Sequence, residues 1–345
     1  MFDATDPDDK KIHMTDGNNF ISIKVNFSSD KDDKFLVSYP ELFNYVKLLP
    51  DAPIELNHNP SKLITVVSFN KKEKAEISSD SPDDFLFALG QVSGSPEISV
   101  IVDTNHLKKA VDMAYQFVAK DEIGGLLYCH LKFDGESMNV ISSNRHVLSQ
   151  YTIHAKSNEG SILVGEEFKR LAKALSGDAS IVIHDRKYRV FDDHIDFFAS
   201  HVDEKYPDTA PFMKYPLSFI KVDREELLNV VKKAEVFSNK ESRRATFQIN
   251  KGKLKISSMD IATNKSYDTK ITCVNSGVRE PFLIWFNLFY MNQCLDLYDE
   301  SSIRIHMFND HTKAGYILGE DKNKFVLIMP MIPVEEEDDS NTEQP

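Results

Sequence analysis

A strand, a helix, a tight turn and a second strand recur three times in this chain, and that internal repeat constrains the fold more than any single motif. The copies are Phe35–Leu56, Ile162–Ile183 and Phe282–Ile305. Pro40 sits in the first turn of the first helix, and Pro50-Asp51 and Gly177-Asp178 supply turns, the punctuation that such a unit requires. The copies begin about 120 to 130 residues apart, too long for a solenoid period and right for tandem domains.

A second unit also repeats. Val102–Val118 matches Val222–Phe237, each an amphipathic helix opened by an aspartate, with Asp223 and Glu226 forming a D-x-x-E capping pattern. Two alternating stretches follow each helix: Leu126–Phe133 with Ser137–Ser142, and Ala245–Asn250 with Leu254–Ser258. The turns between them carry Asp134-Gly135 and Lys251-Gly252, as hairpins do. The fold class read from these patterns is α+β, with tandem two-layer domains whose helices lie on one face of antiparallel sheets.

The expected boundaries are a disordered acidic lead at 1–15, a truncated first domain at 16–97, full domains at 98–215 and 216–334, and a disordered acidic tail at 335–345. The first domain lacks the leading strand and first helix of the other two.

Composition narrows the function. The 345 residues carry a formal charge of -13, which argues against a general nucleic-acid binder. No run approaches the roughly 20 apolar residues that span a bilayer. The N-terminal stretch has no signal-peptide blocks, and Cys129, Cys273 and Cys294 are widely spaced, so a cytoplasmic, reducing setting is expected. No zinc or other metal motif, phosphate loop or nucleophile elbow is present, and no cofactor is expected. Aspartates and glutamates fall in turns, caps and tails, so a metal-dependent nuclease or polymerase is only a remote alternative.

The helix faces add one signal. Leu107, Ala110, Val111, Ala114, Phe117 and Val118 form one apolar stripe, and Phe168, Leu171, Ala172 and Leu175 another. Leu227, Leu228 and Val231 form a third. They leave Lys108 and Lys109, then Lys169, Arg170 and Lys173, then Lys232 and Lys233 on the opposite faces. A lysine on a helix is by itself only a solvated side chain. Three clusters on equivalent helices point to a polyanion, although the helix at Leu288–Tyr298 has none.

The last apolar run, Lys324–Pro333, ends at Pro330 and Pro333, which cannot donate to a ladder. Alone it reads as a closing strand with a buried end, with Met329 and Met331 placed where flexible thioethers suit apolar partners. Together with Val140-Ile-Ser-Ser-Asn-Arg-His-Val-Leu148, Tyr206-Pro-Asp208, Val326-Leu-Ile-Met-Pro-Met331 and the tandem repeats, it resembles the bacterial sliding clamps, the beta subunits of DNA polymerase III. The resemblance covers about residues 20–333.

That resemblance implies a non-catalytic replication protein. Two copies would close head to tail into a ring around duplex DNA, with helices inside and sheets outside. The basic residues named above would then face DNA. A pocket for short peptides of the replicative polymerase, clamp loader and repair proteins would use Leu126, Ser143, His146, Leu148, Pro207 and Phe212, with Asn287, Tyr290, Leu327, Met329, Pro330 and Met331. Alone, His146 reads as a packed histidine and Tyr290 as a core aromatic. The subunit interface would set Ala75 and Ile77 against Val236 and Phe237.

The chain also departs from the family pattern. Thr-Asp-Gly-His-Arg-Leu reads Ser143-Asn-Arg-His-Val-Leu148 here, Pro211 replaces a basic residue, and Ile332-Pro333 replaces a basic–apolar pair. Ala75 is small where a large aromatic is usual. The truncated first domain keeps an alternative open: a clamp-derived peptide-binding adaptor that does not encircle DNA.

Overall fold

The structure is a computed structural model that describes residues 1–31, 33–85 and 94–332. In chain order it begins with β1 (Phe2–Asp3), β2 (Lys11–Thr15), β3 (Phe20–Lys24), β4 (Lys34–Val37), α1 (Tyr39–Val46), β5 (Ile54–Asn59), β6 (Ile64–Phe69) and β7 (Glu73–Asp80). Next come β8 (Ile98–Asp103), α2 (Thr104–Ala114), β9 (Cys129–Phe133), β10 (Ser137–Ser143), β11 (Val147–His154), β12 (Gly160–Val164), α3 (Glu166–Ala174), β13 (Asp178–His184), β14 (Lys187–Phe191) and β15 (Ile195–Ser200). The last third holds β16 (Phe219–Asp223), α4 (Arg224–Val236), β17 (Arg244–Asn250), β18 (Lys253–Asp260), β19 (Lys265–Thr272) and β20 (Val274–Ser276). It closes with β21 (Phe282–Asn287), α5 (Leu288–Asp296), β22 (Ser302–Met307), β23 (Gly315–Leu318) and β24 (Lys324–Ile328).

These elements form two compact units, Met1–Asn105 with Leu171–Val202, and His106–Arg170 with Asp203–Pro345. The first unit is built on an 11-stranded sheet in the order β5-β6-β7-β4-β1-β2-β3-β15-β14-β13-β8. The second holds a 9-stranded sheet, β12-β9-β10-β11-β24-β23-β22-β16-β20, and a 4-stranded sheet, β19-β18-β17-β21. The paired strands run antiparallel, so the α+β class read from the repeats is the one observed.

Residues 1–15 correct the expectation of a disordered lead. β1 joins β2 and β4, and β2 joins β3. The Phe2 ring stacks on Phe35 at 4.9 Å, and Met1 and Ala4 are buried. Asp3 lies in β1, and Asp6, Asp8 and Asp9 sit in the turn between the strands, where Asp9 pairs with Lys11 and Lys24. Strand pairing with burial outweighs local composition. The expected tail at 335–345, with the last two residues of 216–334, lies outside the described residues.

The helical stripes pack as their periodicity requires. Leu107, Ala110, Val111, Ala114 and Phe117 are buried, as are Phe168, Leu171, Ala172 and Leu175. Val118 lies past the end of α2 and is only half-buried. Asp223 caps α4 by accepting from the Glu226 amide at 2.8 Å, which satisfies one of the amides orphaned at a helix start. Between β17 and β18, Lys251 and Gly252 both have positive φ, 49° and 68°, the twist of a type I′ hairpin. Among the described residues of 16–97, α1 is the single α-helix.

β24 is a central strand, with β11 on one side and β23 on the other. The strand ends at Ile328, two residues before Pro330, which has no amide proton to carry the ladder further. Beside it, Tyr298 is fully buried and its hydroxyl donates to the Ile317 carbonyl at 2.6 Å. Tyr298→Phe removes that buried hydrogen bond and should cost about 1–2 kcal/mol of stability in urea unfolding, with an unchanged m-value.

Candidate partner-binding site

The site grows from one ladder that joins strands far apart in sequence. β11 and β24 pair antiparallel, placing Leu148 opposite Leu327 and Val147 opposite Ile328. Leu148 and Leu327 are both buried, so the pair forms a solid base. The ladder is extended beyond the strands, because the Met329 amide donates to the His146 carbonyl at 2.8 Å. Pro330 then turns the chain away, and the Met331 amide donates to the Trp285 carbonyl on β21 at 2.8 Å. The C-terminal run therefore stitches the nine-stranded sheet to the edge of the four-stranded one. Met329, Pro330 and Met331 remain half-buried, while Ile332 is 86% exposed.

The turn from β10 to β11 sets His146. The Asn144 side-chain oxygen accepts from the His146 and Val147 amides at 3.1 and 2.9 Å. The Ser143 hydroxyl donates to the Val147 carbonyl at 2.9 Å. Arg145 has φ 69°, a left-handed conformation that glycine adopts at little cost and other residues resist. This is the position where the family pattern has glycine. The Arg145 guanidinium pairs with Glu122 at 2.8 Å, which secures the longer side chain along the rim.

His146 stacks on Tyr290, with ring centroids 4.9 Å apart and planes 20° apart. Tyr290 stands in the first turn of α5, whose cap is Asn287: its side-chain oxygen accepts from the Phe289 and Tyr290 amides at 3.0 and 3.3 Å. The Asn287 amide group also donates to the Ser242 carbonyl at 2.9 Å. Burial pushes the Tyr290 phenol above its ordinary pKa, and the charge of Arg243 offsets part of that rise.

Leu126 lies not in a strand, as the alternation predicts, but in a 3-10 turn, Gly124–Leu127, that leads into β9. Gly124 has φ 76°, and a Cβ on Gly125 would come within 2.6 Å of the Lys205 carbonyl oxygen. The glycine pair lets the Lys205–Tyr206 backbone lie close against this turn. Tyr206 then stacks on His130 at 4.6 Å. They border a groove of about 430 Å³ whose rim includes Lys132, Glu159 and Pro207. Phe212 ends a short 3-10 turn, Ala210–Phe212, and is 45% exposed.

The structure thus brings Leu148, Leu327, Met329 and His146 together, with Tyr290 against His146 and Asn287 behind Tyr290. Pro207 instead borders the groove beside His130. Sequence reasoning missed Trp285, Phe289, Arg243 and the Arg145–Glu122 pair, because each depends on tertiary approach.

The other candidates divide. Lys109, Arg170, Lys173, Lys232 and Lys233 are exposed, while Lys108 and Lys169 are half-buried. The Lys169 ammonium lies 5.6 Å from the centre of the Tyr115 ring, and Lys232 is paired with Asp296 at 3.6 Å. Val236 is 74% exposed, and Phe237 stacks on Tyr267 at 5.8 Å. Ala75 is half-buried. Ile77 packs in its own unit's core with Val37 and Val67, since the alternation of β7 turns it inward. Among the described residues no group of three or more His, Cys, Asp or Glu is placed to hold a metal ion.

No family model matches the sequence. It is 20% identical over 304 residues to the beta sliding clamp of Pseudomonas aeruginosa, covering 84% of this chain and 80% of that protein. The crystal structure of a DnaN sliding clamp (DNA polymerase III subunit beta) from Pseudomonas aeruginosa bound to griselimycin superposes with a TM-score of 0.84 at 17% identity, covering 95% of this chain and 89% of that one. A DNA polymerase sliding clamp from the same organism, solved with a ligand, gives 0.82 at 18% identity, covering 94% and 89%. The fold is that of the DNA polymerase sliding clamps. The sequence is similar to that of a beta sliding clamp over most of its length, at 20% identity.

His130 makes the site pH-sensitive. Burial, with Lys132 adding to it, lowers its pKa from 6.5 to about 4. As pH falls below 6.5 the unfolded chain takes up this proton before the folded one does. The stability His130 contributes is therefore complete above pH 6.5 and is lost as pH falls toward 4. His130→Gln should flatten the dependence of Tm on pH across that window in calorimetry, and an unchanged slope would remove His130 from the account.

Proposed function

We propose that this chain is a processivity clamp that encircles duplex DNA and tethers the replicative DNA polymerase without catalysing a reaction. The observation that carries the reading is the stitched joint of β11, β24 and β21, which presents Met329–Pro330–Met331 beside His146 and Tyr290. A half-buried apolar floor with two thioethers and a stacked aromatic rim suits short peptides with apolar anchors. The partners we assign to it are segments of the polymerase, the clamp loader and repair proteins, met in the cytoplasm where the DNA is.

The charge pattern supports a loose hold on DNA. Lys109, Arg170, Lys173, Lys232 and Lys233 offer weak, sequence-independent phosphate attraction on a body of net charge -13. A ring that retains DNA topologically needs no more than this, and tight contacts would slow sliding.

Closure fits two open strand edges. β7 pairs with β4 through Ser79 and Asp80, and the Ser38 amide donates to the Ser78 carbonyl, so among the described residues no strand pairs with residues 73–77 on that side. β19 is an outer strand of the four-stranded sheet. Unpaired strand edges invite another chain, and we assign this pair to the interface of a homodimer. Ala75 on β7, with Ile77 behind it, would meet Val236 and Phe237 of the second copy.

Two measurements test the proposal. Light scattering across a range of concentrations should give twice the chain mass, whereas a persistent monomer would favour a peptide-binding adaptor. Met329→Ala combined with Leu148→Ala should weaken binding of a polymerase-derived clamp-binding peptide by at least ~2 kcal/mol. Undiminished binding by the folded double variant would remove the pocket.

A further inference from the structure

The pocket does not end at the His146–Tyr290 stack. Phe289 meets Tyr290 edge-to-face at 5.4 Å, and Phe289 is 38% exposed. The Arg243 guanidinium lies over the Phe289 ring, 4.7 Å from its centre. His146, Tyr290, Phe289 and Arg243 therefore make one continuous ladder, which starts at the carbonyl that receives Met329 and ends on a cation.

The cation is held in place. Arg243 has φ 47°, an unfavourable conformation for a residue with a side chain. Its amide donates to the Asn239 carbonyl and its own carbonyl accepts from the Leu288 amide, both at 2.8 Å. The surrounding backbone thus fixes a conformation that arginine resists, a combination that often accompanies a functional constraint. One guanidinium nitrogen reaches Glu235 at 3.3 Å, and the side chain stays 41% exposed. That contact uses one edge of a fork with five donors, so the group can accept a second carboxylate. Its charge also reaches the Tyr290 phenol, which places it within electrostatic range of the pocket.

We infer that Arg243, positioned by Phe289, selects partner peptides carrying an acidic side chain beside their apolar anchors. The inference rests on the peptide-pocket reading and deepens it. The rim around the apolar floor supports it. Arg145 is occupied by Glu122 at 2.8 Å, and the exposed Pro211 and Ile332 carry no charge. Arg243 is then the cation that the stack presents to a bound peptide. A planar guanidinium on an aromatic face is pre-organised for a carboxylate, and less side-chain freedom is lost when the pair forms.

The test uses two synthetic peptide pools with randomised apolar anchors, flanked by Glu in one and Gln in the other, titrated by fluorescence anisotropy. The intact protein should prefer the Glu pool by roughly three- to ten-fold at low ionic strength, with the preference shrinking as salt rises. Arg243→Gln should bring that ratio close to one. Glu235→Gln, which frees the guanidinium, should raise it and provides a second arm should the Arg243 variant misfold. Equal binding of the two pools by the intact protein would overturn the inference and leave the pocket standing. Binding of neither pool would overturn the pocket itself and the inference with it.

Discussion

The pairing of β11 with β24 is the constraint on which the rest of the site depends. It joins residues 147–151 to residues 324–328, so its hydrogen bonds close a very long loop of chain. Closing so large a loop is entropically unfavourable, and buried cross-strand pairs such as Leu148 with Leu327 offset that cost. Once the ladder exists, the position of everything after Ile328 follows. Met329 continues it onto His146, Pro330 cannot, and Met331 is passed to the edge of β21. Met329, Pro330 and Met331 are thus the end of a sheet rather than a free loop, and as the proposed peptide site they would be held ready instead of being ordered on binding.

Electrostatics divides the work differently. The body is acidic, which limits non-specific adhesion to nucleic acid, while the helices expose Lys109, Arg170, Lys173, Lys232 and Lys233. One of them, Lys232, is already paired with Asp296. Such a surface favours weak, salt-sensitive contact with phosphates, compatible with motion along DNA and unsuited to sequence recognition. At the proposed partner site the balance would be reversed, since a single positioned cation beside an apolar floor can discriminate among peptides without a large gain in affinity.

Much of the fold was legible because it is periodic. The helical stripes, the Asp223 cap and the Lys251-Gly252 hairpin are local, and each has one physical solution. The acidic look of residues 1–15 misled because aspartates in a turn resemble a solvated tail until strand partners are known. Leu126 reads as strand from its apolar neighbours, yet Gly124 and Gly125 bend the chain there. The family motif pointed to His146 and Tyr290, but only the folded chain brings their rings into contact, and no spacing reveals that Arg243 reaches Phe289. Ile77 alternates correctly for an interface or a core, and only the folded chain shows that it packs with Val37 and Val67.

The most direct test of the account is topological. The protein is loaded onto closed-circular DNA with the cell's own clamp loader, and the bound fraction is followed at a salt concentration that screens phosphate contacts, before and after the circle is cut once. The account predicts stable retention on the intact circle and rapid release from the linear ends. Release from the intact circle at that salt, or retention that survives the cut, would contradict a closed sliding ring.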